Sequence, residues 1–248
     1  MKPIKIFSIL LMLCLGIATA ATAQPAAVKK AANTTFTLTT FDAKGSILST
    51  SNGVFVSNNG ICVSTWKPFV GAMKAEVTDN NGQKYSVETI LGANELYDVA
   101  KFKVTAKTNA ALFAPSVVAN SAAWIVMPSQ AGDPVKANID KVEKFMTNYN
   151  YCVLSTTASE KYNGAPVLND KGQIVGIYNS NGTLQSATDA KYANDFVLTG
   201  LSQNDPTLLQ SGIRIALPQQ PDEAIIALML SATKIESLRM ATINDFLQ

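Results

Sequence analysis

The sequence predicts an all-β protein that ends in a short helical segment. Three observations carry this reading. From Phe36 onward, short runs of β-branched and aromatic residues alternate with polar ones. Polar turns closing on glycine separate these runs, as in Asp42–Gly45, Ser57–Gly60, Asp79–Gly82 and Asn169–Gly172. Beyond residue 204 the apolar residues change to a helical spacing.

Residues 1–23 read as a secretory signal peptide and stay out of the fold. Lys2 and Lys5 precede an apolar run from Ile6 to Ile17, and Ala21-Thr22-Ala23 supplies an Ala-x-Ala cleavage site before Gln24. A lipoprotein reading of Cys14 competes, but Leu11-Met12-Leu13 lacks the small residues expected ahead of a lipidated cysteine. No later stretch approaches the ~20 apolar residues of a membrane-spanning helix. Residues 24–34, Ala-rich with Lys29-Lys30, read as a flexible leader.

The strands then follow in order. Phe36–Phe41 comes first, and Gly53–Val56 and Ile61–Ser64 form a hairpin whose Asn59-Gly60 pair favours a primed turn. Ala75–Thr78 and Tyr85–Leu91 form another hairpin, and Val99–Val104 alternates as a further strand. Strands this short and this closely spaced indicate a closed antiparallel barrel or a sandwich. After a linker at Thr105–Asn109, a second β region is expected. Its strands are Ala123–Met127, a long run from Val135 to Tyr149, Tyr151–Leu154, a hairpin over 165–178, and a strand around Phe196–Leu198. Residues 205–248 read as helical, with Pro221-Asp222-Glu223 at a helix start and an apolar stripe through Ile235, Leu238, Ile243 and Leu247. That stripe requires cover within the chain or from a partner.

Composition excludes several function classes. Without Lys2 and Lys5 the chain carries 18 basic and 18 acidic residues, so nucleic acid is not an expected partner. Cys62 and Cys152 lie in apolar strand-like runs and read as buried free thiols. The chain contains no histidine, so it holds neither the usual general base nor the commonest metal ligand. No metal site and no cofactor are expected, and a Ser-His-Asp triad has no chemical route here. The loops at Asp79–Gly82 and Asn169–Gly172 lack the ligand number of a calcium loop and read as turns.

Three stretches carry a family resemblance over residues 35–200. The first is Gly53-Val54-Phe55-Val56-Ser57-Asn58-Asn59-Gly60-Ile61-Cys62-Val63-Ser64-Thr65-Trp66-Lys67. The second is Tyr97-Asp98-Val99-Ala100-Lys101-Phe102-Lys103-Val104, and the third is Lys161-Tyr162-Asn163-Gly164-Ala165-Pro166-Val167-Leu168 with the turn and strand after it. Together they resemble the trypsin-like serine peptidases of the PA clan, in particular the bacterial HtrA/Deg branch.

The resemblance implies two antiparallel β-barrels of the chymotrypsin fold over residues 35–204, with lobes at about 35–108 and 109–204. In its register Lys67 stands at the catalytic histidine position, Asp98 at the aspartate and Asn163 at the serine. Lys161, Tyr162 and Gly164 fall in a degraded oxyanion loop, and Trp66, beside the histidine position, is a candidate cleft-binding residue. The pattern with its helical tail is also similar to secreted trypsin-like proteins in which a degenerate barrel precedes tetratricopeptide repeats. Residues 205–248 are then a docking segment for such repeats or for a partner.

The implied function is a catalytically inactive, periplasmic protease homologue, a pseudoenzyme that binds peptide or protein or serves in assembly. The enzymatic alternative is a serine-type peptidase with Lys67 as an unusual base, acting on Ser64 or Ser159.

Overall fold

The computed structural model describes residues 24–145, 149–194 and 214–215. The expected signal peptide, the strand around Phe196–Leu198 and the expected tail helices lie outside the described residues.

Two closed six-stranded antiparallel barrels make up the fold, as the resemblance implies. The first contains β1 (Thr35–Phe41), β2 (Ile47–Phe55), β3 (Ile61–Ser64), β4 (Lys74–Asp79), β5 (Lys84–Asn94) and β6 (Val99–Val104). Their order is β5-β4-β1-β2-β3-β6, and pairing of β5 with β6 closes the ring. The second contains β7 (Ser121–Ile125), β8 (Val135–Phe145), β9 (Tyr149–Thr156), β10 (Pro166–Leu168), β11 (Ile174–Ser180) and β12 (Gln185–Thr188). It closes in the order β10-β11-β12-β9-β8-β7. The long run expected from Val135 to Tyr149 therefore divides, with Tyr149 opening β9 opposite Phe145.

Side-chain polarity closes the hairpins. Asp42, Asp79 and Asn169 each turn a side-chain oxygen back onto two backbone N–H groups of their own loop, at 2.8–3.0 Å. This satisfies donors that neither strand can pair, and it commits Asp79 and Asn169 to turns. The β2–β3 loop differs from the primed turn expected of Asn59-Gly60. The left-handed position falls on Gly60 alone (φ +84°), whose N–H donates to Ser57 O, whereas a primed turn needs positive φ at both central residues.

Alternation along the strands divides the apolar residues among three clusters. Phe36, Leu38, Phe55, Ile90 and Phe102 fill the first barrel, with Trp66 and Phe69 closing it. Ile125, Ile139, Leu154, Val167 and Tyr178 fill the second. Neighbouring residues on the same strands, Val54, Val63 and Val99 from one lobe and Trp124, Leu168 and Ile177 from the other, meet between the barrels.

The leader is not loose. Helix α1 (Ala26–Ala31) inserts Val28, fully buried, into the cluster between the barrels. An Ala-rich, lysine-bearing segment offers one branched apolar residue at the right point, and burial of that residue supplies an anchor that composition alone conceals. Within the tail, Arg214–Ile215 forms β13, a strand laid parallel on β5, where helix is the sequence expectation.

Cys62 and Cys152 are free and sit in different barrels. Burial pushes the Cys62 thiol well above its ordinary value. Burial first, then the Asp189 carboxylate, pushes Cys152 up to about 11. A pKa raised by folding means that the unfolded chain loses its thiol protons first. The stability held by these protonated thiols is thus complete below an ordinary thiol pKa of about 9, and the share held by Cys152 is lost as pH rises through about 11. At pH 8 the native chain from Gln24 onward is expected to resist a thiol-reactive dye for the length of the assay. Both thiols are expected to react on addition of urea; rapid native labelling contradicts their placement.

Phe102 is fully buried at the centre of the first barrel, with its ring 5.2 Å from Phe69 and 6.0 Å from Phe36. Phe102→Ala is expected to cost about 3–5 kcal/mol, read as a lowered urea midpoint.

Candidate functional site

Asp98 follows the turn that joins β5 to β6 and adopts φ +50°, a left-handed conformation that aspartate tolerates better than most residues. Its side chain is buried, and hydrogen bonds account for the strain being held. Oδ1 accepts the backbone N–H groups of Trp66 (2.9 Å) and Lys67 (2.7 Å), and Oδ2 accepts Asn179 Nδ2 (2.7 Å). One carboxylate thus ties together the β5–β6 turn, the segment after β3, and β11 of the other barrel.

Lys67 opens a 3₁₀ turn, Lys67–Phe69, and its ammonium lies 3.6 Å from Asp98 Oδ2. The lysine side chain is 73% exposed, so this is a rim contact in a high-dielectric setting. Trp66 is not a cleft residue. It is 1% exposed and stacks on Phe69 at 5.8 Å, because the segment after β3 turns its ring into the barrel it closes.

Asn163 is committed to backbone partners. It follows a 3₁₀ turn, Glu160–Tyr162, and its own N–H donates to Glu160 O at 2.9 Å. The N–H of Gly164 donates to Tyr178 O at 2.9 Å. Neither donor is left to hold an oxyanion. The side-chain amide pairs with the backbone of Ser180, donating to its carbonyl (3.1 Å) and accepting its N–H (2.7 Å). The amide acts here as one added rung of the β-ladder.

The carbonyl of Asn163 crosses to the first barrel. It accepts Asn52 N–H (2.9 Å) and Ser51 Oγ (2.8 Å), while Asn52 Nδ2 bonds Lys161 O (2.8 Å). Gly164 lies so close to β2 that a Cβ there would stand 2.1 Å from Asn52 O, at φ +83°. Tyr162 is buried, with its hydroxyl on Asp133 O, and Lys161 Nζ lies 5.0 Å from the Tyr162 ring centroid.

Of the three residues that the resemblance aligns with a triad, Lys67 and Asp98 are in contact, whereas Asn163 faces β11 and β2. Asn179 and Ser180, adjacent on β11, link the two halves. These two residues, with Ser51 and Asn52, were not singled out from the sequence. The available signal was polar residues inside otherwise strand-like runs. Ser64 is fully buried and donates to Asn52 O, which separates it from the exposed Lys67 ammonium. An inter-barrel cavity of 720 Å³ is lined by residues including Ile61, Val63, Lys101, Phe113, Cys152 and Val175, and not by Lys67, Asp98 or Asn163.

No family model matches the chain, and no curated protein matches it. Solved structures do. The HtrA-type protease AlgW with tripeptide is similar at TM-score 0.58 and 17% identity, covering 67% of this chain and 60% of its own. A serine endoprotease from Yersinia pestis is similar at TM-score 0.58 and 18% identity, covering 67% of this chain and 62% of its own. The chain thus spans about three-fifths of the length of these proteins, and the likeness establishes a trypsin-like double-barrel fold.

Asp98→Ala leaves two backbone donors without an acceptor and is expected to cost about 2–5 kcal/mol. Lys67→Ala, which removes an exposed rim charge, is expected to change stability by less than about 0.5 kcal/mol. Urea titration of both variants checks the contrast, and equal losses would contradict it.

Proposed function

We propose that this trypsin-like double barrel is a catalytically inactive protease homologue that binds peptide or protein segments in the bacterial cell envelope. The observation that carries the reading is the state of the Asn163 loop. Its amide and the N–H groups of Asn163 and Gly164 are consumed by the protein itself, in a chain that has no histidine. Acyl transfer needs a nucleophile and a base as well as donors for the developing oxyanion. The loop carries an asparagine where a nucleophile is required, with no imidazole to serve it. The envelope location rests on the apolar segment Ile6–Ile17 and the Ala-x-Ala site before Gln24.

Lys67 supports the enzymatic alternative poorly. A lysine that takes a proton from a hydroxyl must sit against it, whereas the Lys67 side chain is 73% exposed with its ammonium 3.6 Å from Asp98 Oδ2, and Ser64 is buried and donates to Asn52 O. The binding role draws support from the fold itself, since β-structures accept extended segments through backbone hydrogen bonds.

The purified chain from Gln24 onward is expected not to cleave unfolded casein above a mock purification. The double substitution Lys67→His and Asn163→Ser is expected to remain inactive, because the N–H at residue 163 still serves Glu160 O. Hydrolysis that survives purification and falls in Lys67→Ala overturns the inactive reading. A tiled array of unfolded-protein peptides tests the binding half, and an array with no spot above background counts against it.

A further inference from the structure

β5 changes neighbour partway along its length. Lys84, Tyr85 and Ser86 pair with β4, whereas Val87 to Asn94 pair with β6. Register slips at Val87/Thr89 and Ile90/Gly92 bend the strand between the two. From residue 87 on, one edge of β5 is held by β6 and the opposite edge has lost β4. Such an edge presents backbone N–H and C=O groups that a further strand can pair.

The chain shows how that edge is used. Arg214 lies opposite Thr89 and Ile215 opposite Ile90, in the one parallel strand pair among the described residues. Thr89 and Ile90 are already paired with Lys103 and Phe102 of β6, so β13 occupies the edge that β4 leaves. In sequence, Ile213, Ile215 and Leu217 alternate with Arg214 and Ala216, and Pro218 ends the run.

We propose that the β5 edge at Thr89–Ile90 is a strand-acceptor site for an extended, proline-free peptide with apolar residues at alternate positions, added parallel to β5. The chain's own Arg214–Ile215 segment is its resident occupant. The proposal rests on the peptide-binding reading above and gives it a location away from Asn163, where the backbone of Ser180 is already paired with the Asn163 amide. A tethered occupant acts at an effective concentration of order millimolar, so a free peptide competes well only when the segment is released.

The test uses a fluorescein-labelled peptide of residues 211–217 and polarisation titrations on the chain from Gln24 to Gln248. Ile215→Pro removes a backbone donor and is expected to release the segment, tightening probe binding roughly tenfold or more over the unaltered chain. A second chain carrying Thr89→Cys and Arg214→Cys is expected to form an intramolecular disulfide that abolishes probe binding until it is reduced. If Ile215→Pro fails to fold by circular dichroism, the oxidised-against-reduced comparison decides.

Equal probe affinity in all forms, including no binding in any, overturns the proposal. A disulfide-linked dimer overturns the assignment of the chain's own segment as occupant. Array peptides that bind equally to the oxidised and reduced chain overturn the edge and leave the binding reading intact. Casein cleavage with edge binding preserved overturns the inactive reading and leaves the edge.

Discussion

The carbonyl of Asn163, received by Asn52 and Ser51, fixes how the two barrels sit on each other. Each barrel buries its own core and closes its own ladder, so the ladders alone do not set how one barrel sits on the other. Their relation must come from the seam. The Asn163 loop supplies it at one place, where Gly164 allows an approach to β2 that any Cβ would block. Val28 of α1 supplies apolar anchorage between the barrels. Asn80, on the β4–β5 turn, supplies a third tie by accepting Ser129 N–H and Oγ through its side chain and Gln130 Nε2 through its carbonyl. Directional bonds set the register of the seam, and the apolar cluster provides most of the driving force.

Within that seam the polar side chains around Asn163 and Asp98 are committed to backbone partners. A serine at residue 163 would project a hydroxyl, whereas an asparagine amide can pair both with a carbonyl and with an N–H. It does both with Ser180, extending the ladder back beyond the point where β10 begins. Asp98 is committed in the same way. Its carboxylate holds two backbone N–H groups and the Asn179 amide. Its place in the fold therefore follows from the donors it satisfies.

The hairpins were legible because their turns are written in side-chain chemistry. An Asp or Asn followed three residues later by glycine encodes both the loop bonds and the left-handed residue. The first half of β2 and all of β12 were not legible. Leu48-Ser49-Thr50-Ser51-Asn52 and Gln185-Ser186-Ala187-Thr188 carry little apolar alternation, and barrel closure rather than their own composition draws them into the sheet. The order of motifs singles out Lys67, Asp98 and Asn163 as candidates, and the structure brings Lys67 and Asp98 into contact. Their bonding could not be read, because Asn179, Ser180 and Asn52 reach them through tertiary contacts that no local pattern records.

The location of free backbone then decides where a peptide can add. A strand-accepting surface needs unpaired N–H and C=O groups in extended conformation, and a closed barrel normally has none. Around Asn163 the candidates are used up by the asparagine amide, by Tyr178 O and by β2. β5 is different, since its two bulges let it serve two neighbours in succession and strand one edge in the process. Barrel closure through a bent strand thus creates an edge as a geometric by-product. That the chain lays Arg214–Ile215 on it, in the orientation least like the rest of the sheet, argues that the edge has an affinity for extended chain independent of hairpin connectivity. If this chain recognises extended segments, the edge of β5 is where backbone geometry favours it.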